Sequence, residues 1–359
     1  MLRNQTLICL MEVPISRITE SLAVKSTIGL SRRRFSALAL GSLLAPAAYA
    51  QAAGIRLLKL NSFEIRVSDL GLSVDFYQRL FGMPVQARVD GRVSLRVGEG
   101  PQSMIIREVI DGETPAITQI GYSVENFEVS QALDALLGVG FERIAPPPIS
   151  DLGIDHRMKA WIRVRRETEE LYFADDRGLI VQLSHPAFCG GSGLAGDGCA
   201  QVESAPDGLI ELVDLNHFTV FLNDGAEANR FYQETFGLSV QAYQGPQSPV
   251  TGIGDGKQFV MYAGGRSETP SPANIHHGSL NIRGFDVDRV RATLTEFGLT
   301  ASDRQTGPLV HYVSLRMPAR GGADGGTPEL YFTDRDGILL QLQDLSYCGG
   351  GGYLGNECL

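Results

Sequence analysis

Hydrophobic and polar residues follow the same order four times along this chain. Apolar residues first alternate with polar ones, as in a half-buried strand, then recur every three or four positions, as along one face of a helix, and then alternate again. In the first half this pattern predicts strands at 63–67, 93–97, 103–108, 117–124, 160–164, 171–173 and 179–183, with helices at 72–81 and 127–137. In the second half it predicts strands at 217–222, near Gly252, and at 259–262, 278–282, 312–316, 330–332 and 338–342, with helices at 226–236 and 287–297. The element order is therefore β-α-β-β(-β), four times over.

The two halves of the chain are copies of one another. Residues 60–69, 75–83 and 170–183 match residues 215–224, 230–238 and 329–342. Positions that both copies share are expected to be scaffold, whereas positions that only one copy holds are candidates for function. The second copy has His217 where the first has Ser62, and His277 where the first has Gln119.

Residues 1–50 are predicted to be an export signal rather than part of the fold. Ser-Arg-Arg-Arg-Phe at 31–35 is typical of a twin-arginine signal, an apolar run covers 37–48, and Ala-Tyr-Ala at 48–50 predicts cleavage after Ala50. The run is too short for a good membrane span, although an uncut membrane anchor is the alternative. The 30 residues before Ser31 are either a regulatory extension or lie upstream of a translation start near Leu30.

The signal predicts the partners and the location of the protein. The twin-arginine export machinery is one expected partner, the location is periplasmic or secreted, and no membrane association is expected after cleavage. Because this route exports folded proteins, it favours a metal that is loaded in the cytoplasm.

The cysteines form two identical spacings. Cys9 lies in the predicted signal, and the other four pair as Cys189 with Cys199 and Cys348 with Cys358, each pair spanning nine residues in a glycine-rich tail. In an oxidising compartment this pattern predicts two disulfides, each worth roughly 2–3 kcal/mol for an 11-residue loop. A metal–thiolate site is the weaker alternative, because this is not a zinc spacing and no histidine lies within the loops.

Charge and length bound the class of protein. Removing residues 1–50 leaves 309 residues and takes the net charge from −10 to −14, because that segment holds six basic and two acidic residues. This length suffices for two domains with cores of their own. A chain this acidic lacks the positive charge with which proteins bind nucleic acid or anionic lipid. The predicted organisation is an N-terminal domain at 58–187, a tail and linker at 188–212, a C-terminal domain at 213–345 and a second tail at 346–359.

The motifs of the second copy indicate a family. It opens with Asn-His at 216–217, an alternating strand, Asp224, and a helix with Phe-Tyr at 231–232 and Phe-Gly at 236–237; it closes with Phe-Thr-Asp-Arg-Asp-Gly at 332–337, then Gln341. The chain resembles the vicinal oxygen chelate superfamily of glyoxalase I, extradiol dioxygenases and fosfomycin and bleomycin resistance proteins, over about 58–187 and 213–345. The resemblance implies an α+β fold of two tandem domains, each of paired βαβββ units forming a half-open barrel cleft. It says less about the reaction, since this fold hosts many chemistries.

The resemblance also implies a divalent metal in the cleft of the second copy, held by His217, His277 and Gln341. Extradiol dioxygenases place two histidines and a glutamate at these positions. Such a triad binds Fe(II) and leaves positions open for substrate and oxygen; Mn(II), Zn(II) and Ni(II) are the alternatives. Gln341 departs from the pattern, and its neutral carboxamide weakens the dioxygenase interpretation. The first copy is expected to be a degenerate partner.

Each predicted ligand has a structural alternative. A histidine on a half-buried strand is often a hydrogen-bonded core residue, and Gln182 holds the place of Gln341 in the first copy. His276 is adjacent to His277 and, facing the other way on the predicted strand, is expected at the surface.

Tyr331 and His311 are the candidate catalytic residues. Extradiol dioxygenases carry a substrate-facing tyrosine ten residues before the third ligand, the spacing that Tyr331 has here, although Tyr172 at the same place in the first copy indicates packing. His311 precedes a predicted strand near the cleft and is a candidate proton donor or base. Glu329 is a possible source of the missing carboxylate, yet Glu170 matches it and favours a structural role.

Two functions are consistent with the sequence. The first is an exported, metal-dependent enzyme of the ring-cleaving dioxygenase or glyoxalase kind that acts on a small molecule with adjacent oxygens. The second is a non-catalytic protein of the same fold that binds a small molecule, as resistance proteins do.

Overall fold

The computed structural model describes residues 54–148, 156–165, 168–190, 203–245, 248–265, 272–354 and 358. The predicted export signal with its Cys9, and also Cys199, lie outside these ranges. Within the described part of the chain, no helix is long and apolar enough to cross a membrane.

In its described residues the first copy holds nine strands and two helices: β1 (Leu57–Val67), α1 (Leu70–Phe81), β2 (Val85–Val89), β3 (Arg92–Arg96), β4 (Ser103–Glu108), β5 (Ala116–Val124), α2 (Val129–Gly138), β6 (Glu142–Arg143), β7 (Lys159–Arg165), β8 (Thr168–Ala174) and β9 (Ile180–Ser184). The second copy repeats them: β10 (Leu212–Phe221), α3 (Gly225–Phe236), β11 (Val240–Tyr243), β12 (Pro249–Gly252), β13 (Phe259–Ala263), β14 (Asn274–Ile282), α4 (Val287–Phe297), β15 (Thr300–Ala301), β16 (Val310–Arg316), β17 (Thr327–Thr333) and β18 (Leu339–Gln343). The predicted α+β fold with repeated βαβββ units is confirmed. The sequence pattern missed the short strands β2, β6, β11 and β15.

Strand pairing builds each copy as two βαβββ units joined through their first strands. In the first copy β1 pairs with β4 on one side and with β5 on the other, and β5 pairs with β9. In the second copy β10 pairs with β13 and β14, and β14 pairs with β18. The two sheets meet where Ile117 of β5 pairs with Ile275 of β14. The first strand of each unit therefore lies at the centre of its sheet, where both faces are covered.

The helices begin and end by the same local chemistry in both copies. Asp69 and Asp224 cap α1 and α3, and each accepts a hydrogen bond from a backbone N–H of the first turn. Both helices end at a glycine in the left-handed conformation, Gly82 with φ 67° and Gly237 with φ 65°. At Gly82 a side chain would also collide with the linker, because a Cβ there would lie 2.7 Å from the backbone nitrogen of Gly208.

Each copy packs its first helix against the closing turn of the other. Tyr77 on α1 donates to Asp334 Oδ2 at 2.9 Å, and Tyr232 on α3 donates to Asp175 Oδ2 at 3.0 Å. Around these bonds Phe81 contacts Phe332 and Phe236 contacts Phe173, with ring centroids 5.8 and 5.7 Å apart. The contacts are reciprocal, so the two copies share one continuous core.

The disulfide between Cys348 and Cys358 is present, with a Cα–Cα distance of 6.0 Å. Cys189 is also disulfide-bonded. Its predicted partner, Cys199, lies outside the described residues.

Candidate functional site

Three adjacent strands bring the predicted metal ligands together. Register places His217 on β10 opposite Ser279 on β14, and Ser279 opposite Gln341 on β18. His277 lies two residues before Ser279 and therefore points to the same face of the sheet. His217, His277 and Gln341 are all buried on this face.

The two imidazoles approach each other directly. His217 Nε2 lies 3.3 Å from His277 Nε2, and the rings are almost perpendicular, with an angle of 83° between their planes. Two nitrogens that bind one ion at about 2.1 Å, at an angle of roughly 90–105°, are separated by about 3.0–3.3 Å. The observed distance fits two ligands of one ion, and it also lies within reach of a direct hydrogen bond.

Neighbouring side chains fix the orientation of His217. Its Nδ1 lies 2.6 Å from Asn216 Oδ1, while Asn216 Nδ2 donates to the backbone oxygen of Tyr347 at 3.0 Å. Because an amide oxygen only accepts, we assign the His217 proton to Nδ1, which leaves the Nε2 lone pair directed at His277. Phe259 stacks on the His217 ring at 4.4 Å between centroids and 9° between planes.

Burial keeps both histidines neutral. Burial, with smaller contributions from His277 and Arg316, lowers the pKa of His217 well below its usual value. Burial, followed by His276 and Arg316, lowers the pKa of His277 to about 3. Neutral imidazole is the form that binds a metal, so both side chains are in the ligating state at neutral pH.

Gln341 completes the site with unused polar atoms. Its carboxamide lies beside both imidazoles. It is fully buried, and neither Oε1 nor Nε2 has a hydrogen-bond partner of good geometry. A buried polar group without a partner costs about 1–3 kcal/mol. Among the described residues no three His, Cys, Asp or Glu side chains are arranged to hold a metal ion, so the third donor that this site offers is the amide oxygen of Gln341.

A buried ionic network surrounds Glu329, next to the histidine pair. Arg316 Nε donates to Glu329 Oε1 at 2.7 Å, and Tyr347 Oη donates to the same oxygen at 2.5 Å. Tyr331 Oη donates to the other carboxylate oxygen at 3.2 Å. Glu329 is therefore held by three donors, which agrees with the structural role that the repeat favoured.

Tyr331 lines the site through its ring. The ring centroid lies 5.3 Å from that of His277, and the other face of the tyrosine stacks on Tyr312 at 5.1 Å. Burial, followed by the Glu329 carboxylate, raises the pKa of Tyr331 well above its usual value, so the side chain remains a neutral phenol. The hydroxyl is bonded to Glu329 rather than directed at the histidines.

The expectation that His311 lies near the cleft is wrong. His311 is fully buried within β16, and its Nε2 lies 2.8 Å from Thr295 Oγ1 on α4. The next residue, Tyr312, faces the histidine pair through Tyr331, so alternation places His311 on the opposite face of the sheet. Strand register gives Ala160 as its counterpart in the first copy. A role as proton donor at this site is therefore excluded by position.

The expectation that His276 lies at the surface holds in part. It is half-buried, with its ring 4.5 Å from that of Phe221 and its Nδ1 2.8 Å from Nδ1 of His277. Its ring also contacts the His277 ring, with centroids 5.1 Å apart, so His276 covers part of that neighbour.

The corresponding place in the first copy holds no histidine. Ser62 and Gln119 stand there, and Gln119 Nε2 donates to Gln182 Oε1 at 3.5 Å. Sequence analysis missed a charged cluster in this first cleft, made of Glu64, Arg92, Arg107, Arg163, Arg165 and Glu170. It also missed Phe259, Arg316 and Tyr347 around the second. The repeat contained the signal for the first cluster, because Arg163 aligns with Ser314.

A family profile matches both copies. The profile of the Glyoxalase/Bleomycin resistance protein/Dioxygenase superfamily matches residues 59–136 and 214–342, and the chain belongs to this superfamily. A comparison with curated proteins finds no match.

Solved structures of ring-cleaving dioxygenases share the fold. The 2,3-dioxygenase LapB from Pseudomonas sp. KL28 is 17% identical, with a TM-score of 0.54 over 80% of this chain and 92% of that one. An extradiol ring-cleaving dioxygenase from B. fuscum is 18% identical, with a TM-score of 0.54 over 83% of this chain and 75% of that one. A variant of homoprotocatechuate 2,3-dioxygenase from B. fuscum is 18% identical, with a TM-score of 0.53 over 83% and 74%. Identity this low shows a shared fold, and the reaction must be argued from the site.

Proposed function

We propose that this protein is a metal-dependent enzyme of the ring-cleaving dioxygenase kind, acting on a small molecule with adjacent oxygens. The observation that carries the proposal is the histidine pair, whose two Nε2 atoms lie 3.3 Å apart in one copy only. The similarity to ring-cleaving dioxygenases in fold supports the same reaction class.

The donor set fits a divalent ion with open coordination positions. His217 and His277 supply neutral nitrogens, and Gln341 supplies an oxygen that otherwise lacks a partner. Fe(II) is the first choice for two imidazoles and one oxygen, with Mn(II), Zn(II) or Ni(II) as alternatives. When bound, the ion supplies Lewis acidity and, for iron, electron transfer to oxygen.

The residues around the donors position them and exclude water. Phe259 holds the plane of His217, and Asn216 holds its tautomer. Tyr331 forms one wall, against which a flat substrate ring would pack. Glu329 accepts a hydrogen bond from the Tyr331 hydroxyl, so this tyrosine contributes shape rather than proton transfer.

The test is the metal content of the full chain prepared without oxygen. We expect about one divalent ion per chain, and its loss in a His217→Ala, His277→Ala double variant. The matched control is Ser62→Ala with Gln119→Ala at the corresponding place in the first copy, which should keep the ion. Folded wild-type protein that takes up no Fe(II), Mn(II), Zn(II) or Ni(II) would contradict the proposal.

A binding protein without catalysis is the second candidate. The observation that favours it is that the two Nε2 atoms also lie within hydrogen-bond distance, while the first copy keeps a glutamine at the place of Gln341 without any histidine. In that case the protein would bind small catechol-like molecules without metal and would consume no oxygen. Oxygen uptake with a catechol series separates the two functions.

We propose in addition that the chain is exported by the twin-arginine route and acts in the periplasm or outside the cell. The Cys348–Cys358 disulfide supports this, because disulfides persist in oxidising compartments. An Arg32→Lys, Arg33→Lys variant should stay in the cytoplasm with residues 1–50 uncut, as fractionation and mass measurement would show. Unchanged export of this variant would mean that another signal directs it.

A further inference from the structure

We propose that the cleft of the first copy is a second ligand site, which binds a small organic carboxylate between Arg163 and Arg165. This site is independent of the histidine pair and of the function proposed above.

Register separates what the two clefts share from what is special to the first. Arg165, Glu170 and Tyr172 correspond to Arg316, Glu329 and Tyr331, so the ionic network beside the second site has an equivalent in the first. Other charged residues have an uncharged residue at their place in the second copy: Thr219 for Glu64, Phe221 for Arg66, Ala263 for Arg107 and Ser314 for Arg163. The first cleft is therefore not an empty copy of the second, because it carries charges of its own.

Cations outnumber anions in this cleft. Arg92 and Arg107 both bind Glu64, Arg92 and Arg165 both bind Glu170, and Arg66 and Arg107 both bind Glu113. With Arg163 and the mostly exposed Asp90, which lies 3.8 Å from Arg165, five arginines face four carboxylates among the residues that the structure describes here. One more negative charge would balance the cluster. Burial and the nearby Arg165 guanidinium lower the pKa of Arg163, as expected where cations are crowded.

Arg165 has hydrogen-bonding capacity left over. Its side chain is 4% exposed, and its Nη1 lies 3.2 Å from Glu170 Oε2. That contact, like the one to Asp90, is an ion pair without hydrogen-bond geometry, so the buried Nε and Nη1 make no well-aligned hydrogen bond. A guanidinium offers two parallel N–H groups at the spacing of two carboxylate oxygens, which makes a carboxylate the natural acceptor.

Arg163 closes a narrow recess above these atoms. The recess is lined by Glu64, Gln119, Trp161, Arg163, Arg165, Tyr172 and Ile180. Arg163 is the one lining residue that is not buried, and it donates to the backbone oxygen of Pro147. The space of about 10 Å³ admits a single oxygen-sized group, so a carboxylate enters when the Arg163 side chain swings off this contact. Ile180 also lines a neighbouring pocket of about 430 Å³, which has room for the body of a small ligand.

The test is calorimetric titration of the full chain, freed of metal by chelation, with formate, acetate and benzoate. Benzamide is the neutral control for benzoate, and inorganic phosphate is the control for a general anion site. We expect one carboxylate per chain, no binding of benzamide and weaker binding of phosphate. Failure of all three carboxylates to bind, or equal binding of benzamide, would overturn the proposal.

Two variants assign the binding to this cleft. Arg163→Ser introduces the residue that the second copy holds at this place, and it should weaken carboxylate binding about tenfold or more, since it removes a charge-assisted hydrogen bond. The His217→Ala, His277→Ala variant should bind the carboxylate as the wild type does. Arg163→Lys keeps the positive charge but loses the paired N–H groups of the guanidinium. Its carboxylate affinity should lie between those of Arg163→Ser and the wild type. An Arg163→Ser variant that melts like the wild type and binds with unchanged affinity would show that the arginines serve only the fold.

Discussion

At the scale of single residues, Gln341 decides how strongly the histidine pair can hold a cation. The two imidazoles are neutral, and a carboxamide adds a third neutral donor, so nothing in the triad offsets the charge of a divalent ion. The nearby Arg316 guanidinium adds positive charge, although Glu329 neutralises most of it. If these residues hold a divalent ion as proposed, the neutral amide limits its affinity through charge rather than through geometry.

Changing Gln341→Glu should tighten metal binding. The new carboxylate keeps the shape of the amide and lowers the charge of the loaded site by one, and we expect a gain of tenfold or more in affinity, equivalent to about 1.4 kcal/mol. Competition titration with a metal indicator measures it. Gln182→Glu, at the same place in the first copy, is the control and should leave the affinity unchanged. An affinity of Gln341→Glu no higher than that of the wild type would show that residue 341 does not face the ion.

The sequence predicted the members of this triad but not their surroundings. His217 and His277 were found because one copy has them and the other does not. Phe259, Arg316 and Tyr347 were missed, because they come from β13, β16 and the tail and meet the pair only through strand register. Long-range pairing of this kind leaves no periodic signal in a single sequence.

At the scale of elements, the closing strand β18 and the tail that follows it pack against the histidine pair of the second copy. β18 carries Gln341, and the chain then turns so that Tyr347 enters the Glu329 network directly before Cys348. Gly349 follows with φ 93°, and a Cβ there would lie 3.0 Å from the ring of Phe259. The tail therefore packs on the aromatic ring that orients His217.

Removing the tail disulfide should affect both stability and the metal site. For Cys348→Ala with Cys358→Ala we expect a loss of roughly 2–3 kcal/mol in unfolding free energy, from loop entropy, and weaker metal binding as Tyr347 and Phe259 loosen. Urea unfolding and metal titration on the same variant measure the two effects. Cys189→Ala with Cys199→Ala is the matched control, which should lower stability but spare the metal. If both variants weaken metal binding equally, the tail does not support the second site specifically.

Helices and strands were predictable from the sequence where the apolar periodicity extends over many residues. Short strands were harder to predict. The predicted bounds of α4 agree with the structure, whereas β2 and β11 were missed, since each is short and its pairing contains a register shift. His311 was misplaced for a related reason, because its strand begins at Val310, two residues before the predicted start, so that His311 lies within the strand and points toward α4.

At the scale of the whole molecule, two buried carboxyls couple the fold to pH. Burial raises the pKa of Asp175 and that of Asp334 to about 6, although each accepts hydrogen bonds from backbone N–H groups and from a tyrosine of the other copy. In the unfolded chain the pKa of these carboxyls is near 4, so as the pH rises the folded state stays protonated to a higher pH than the unfolded state does. Their contribution to stability is complete below about pH 4 and is lost as the pH rises through about 6.

An Asp334→Asn variant should therefore gain stability relative to the wild type as the pH rises from about 4.5 to about 7, by about 2 kcal/mol. The comparison must be a difference, since buried His217 and His277, with lowered pKa values, contribute with the opposite sign in this window. Urea midpoints at several pH values measure it. Tyr77→Phe keeps the carboxyl and should show no such relative gain. Parallel profiles of Asp334→Asn and wild type would refute the coupling.

The reciprocal packing of α1 and α3, each against the other copy, bears on how the two-copy chain could have evolved. Two copies whose helices each dock on the other's closing turn have the contact pattern of an isologous dimer, in which residue i meets j and j meets i. A chain that arose by fusing the genes of such a dimer inherits two clefts that were once identical. As a dimer, every substitution would have appeared in both clefts at once. Fusion would remove that constraint, so that one cleft could carry a histidine pair while the other gained arginines.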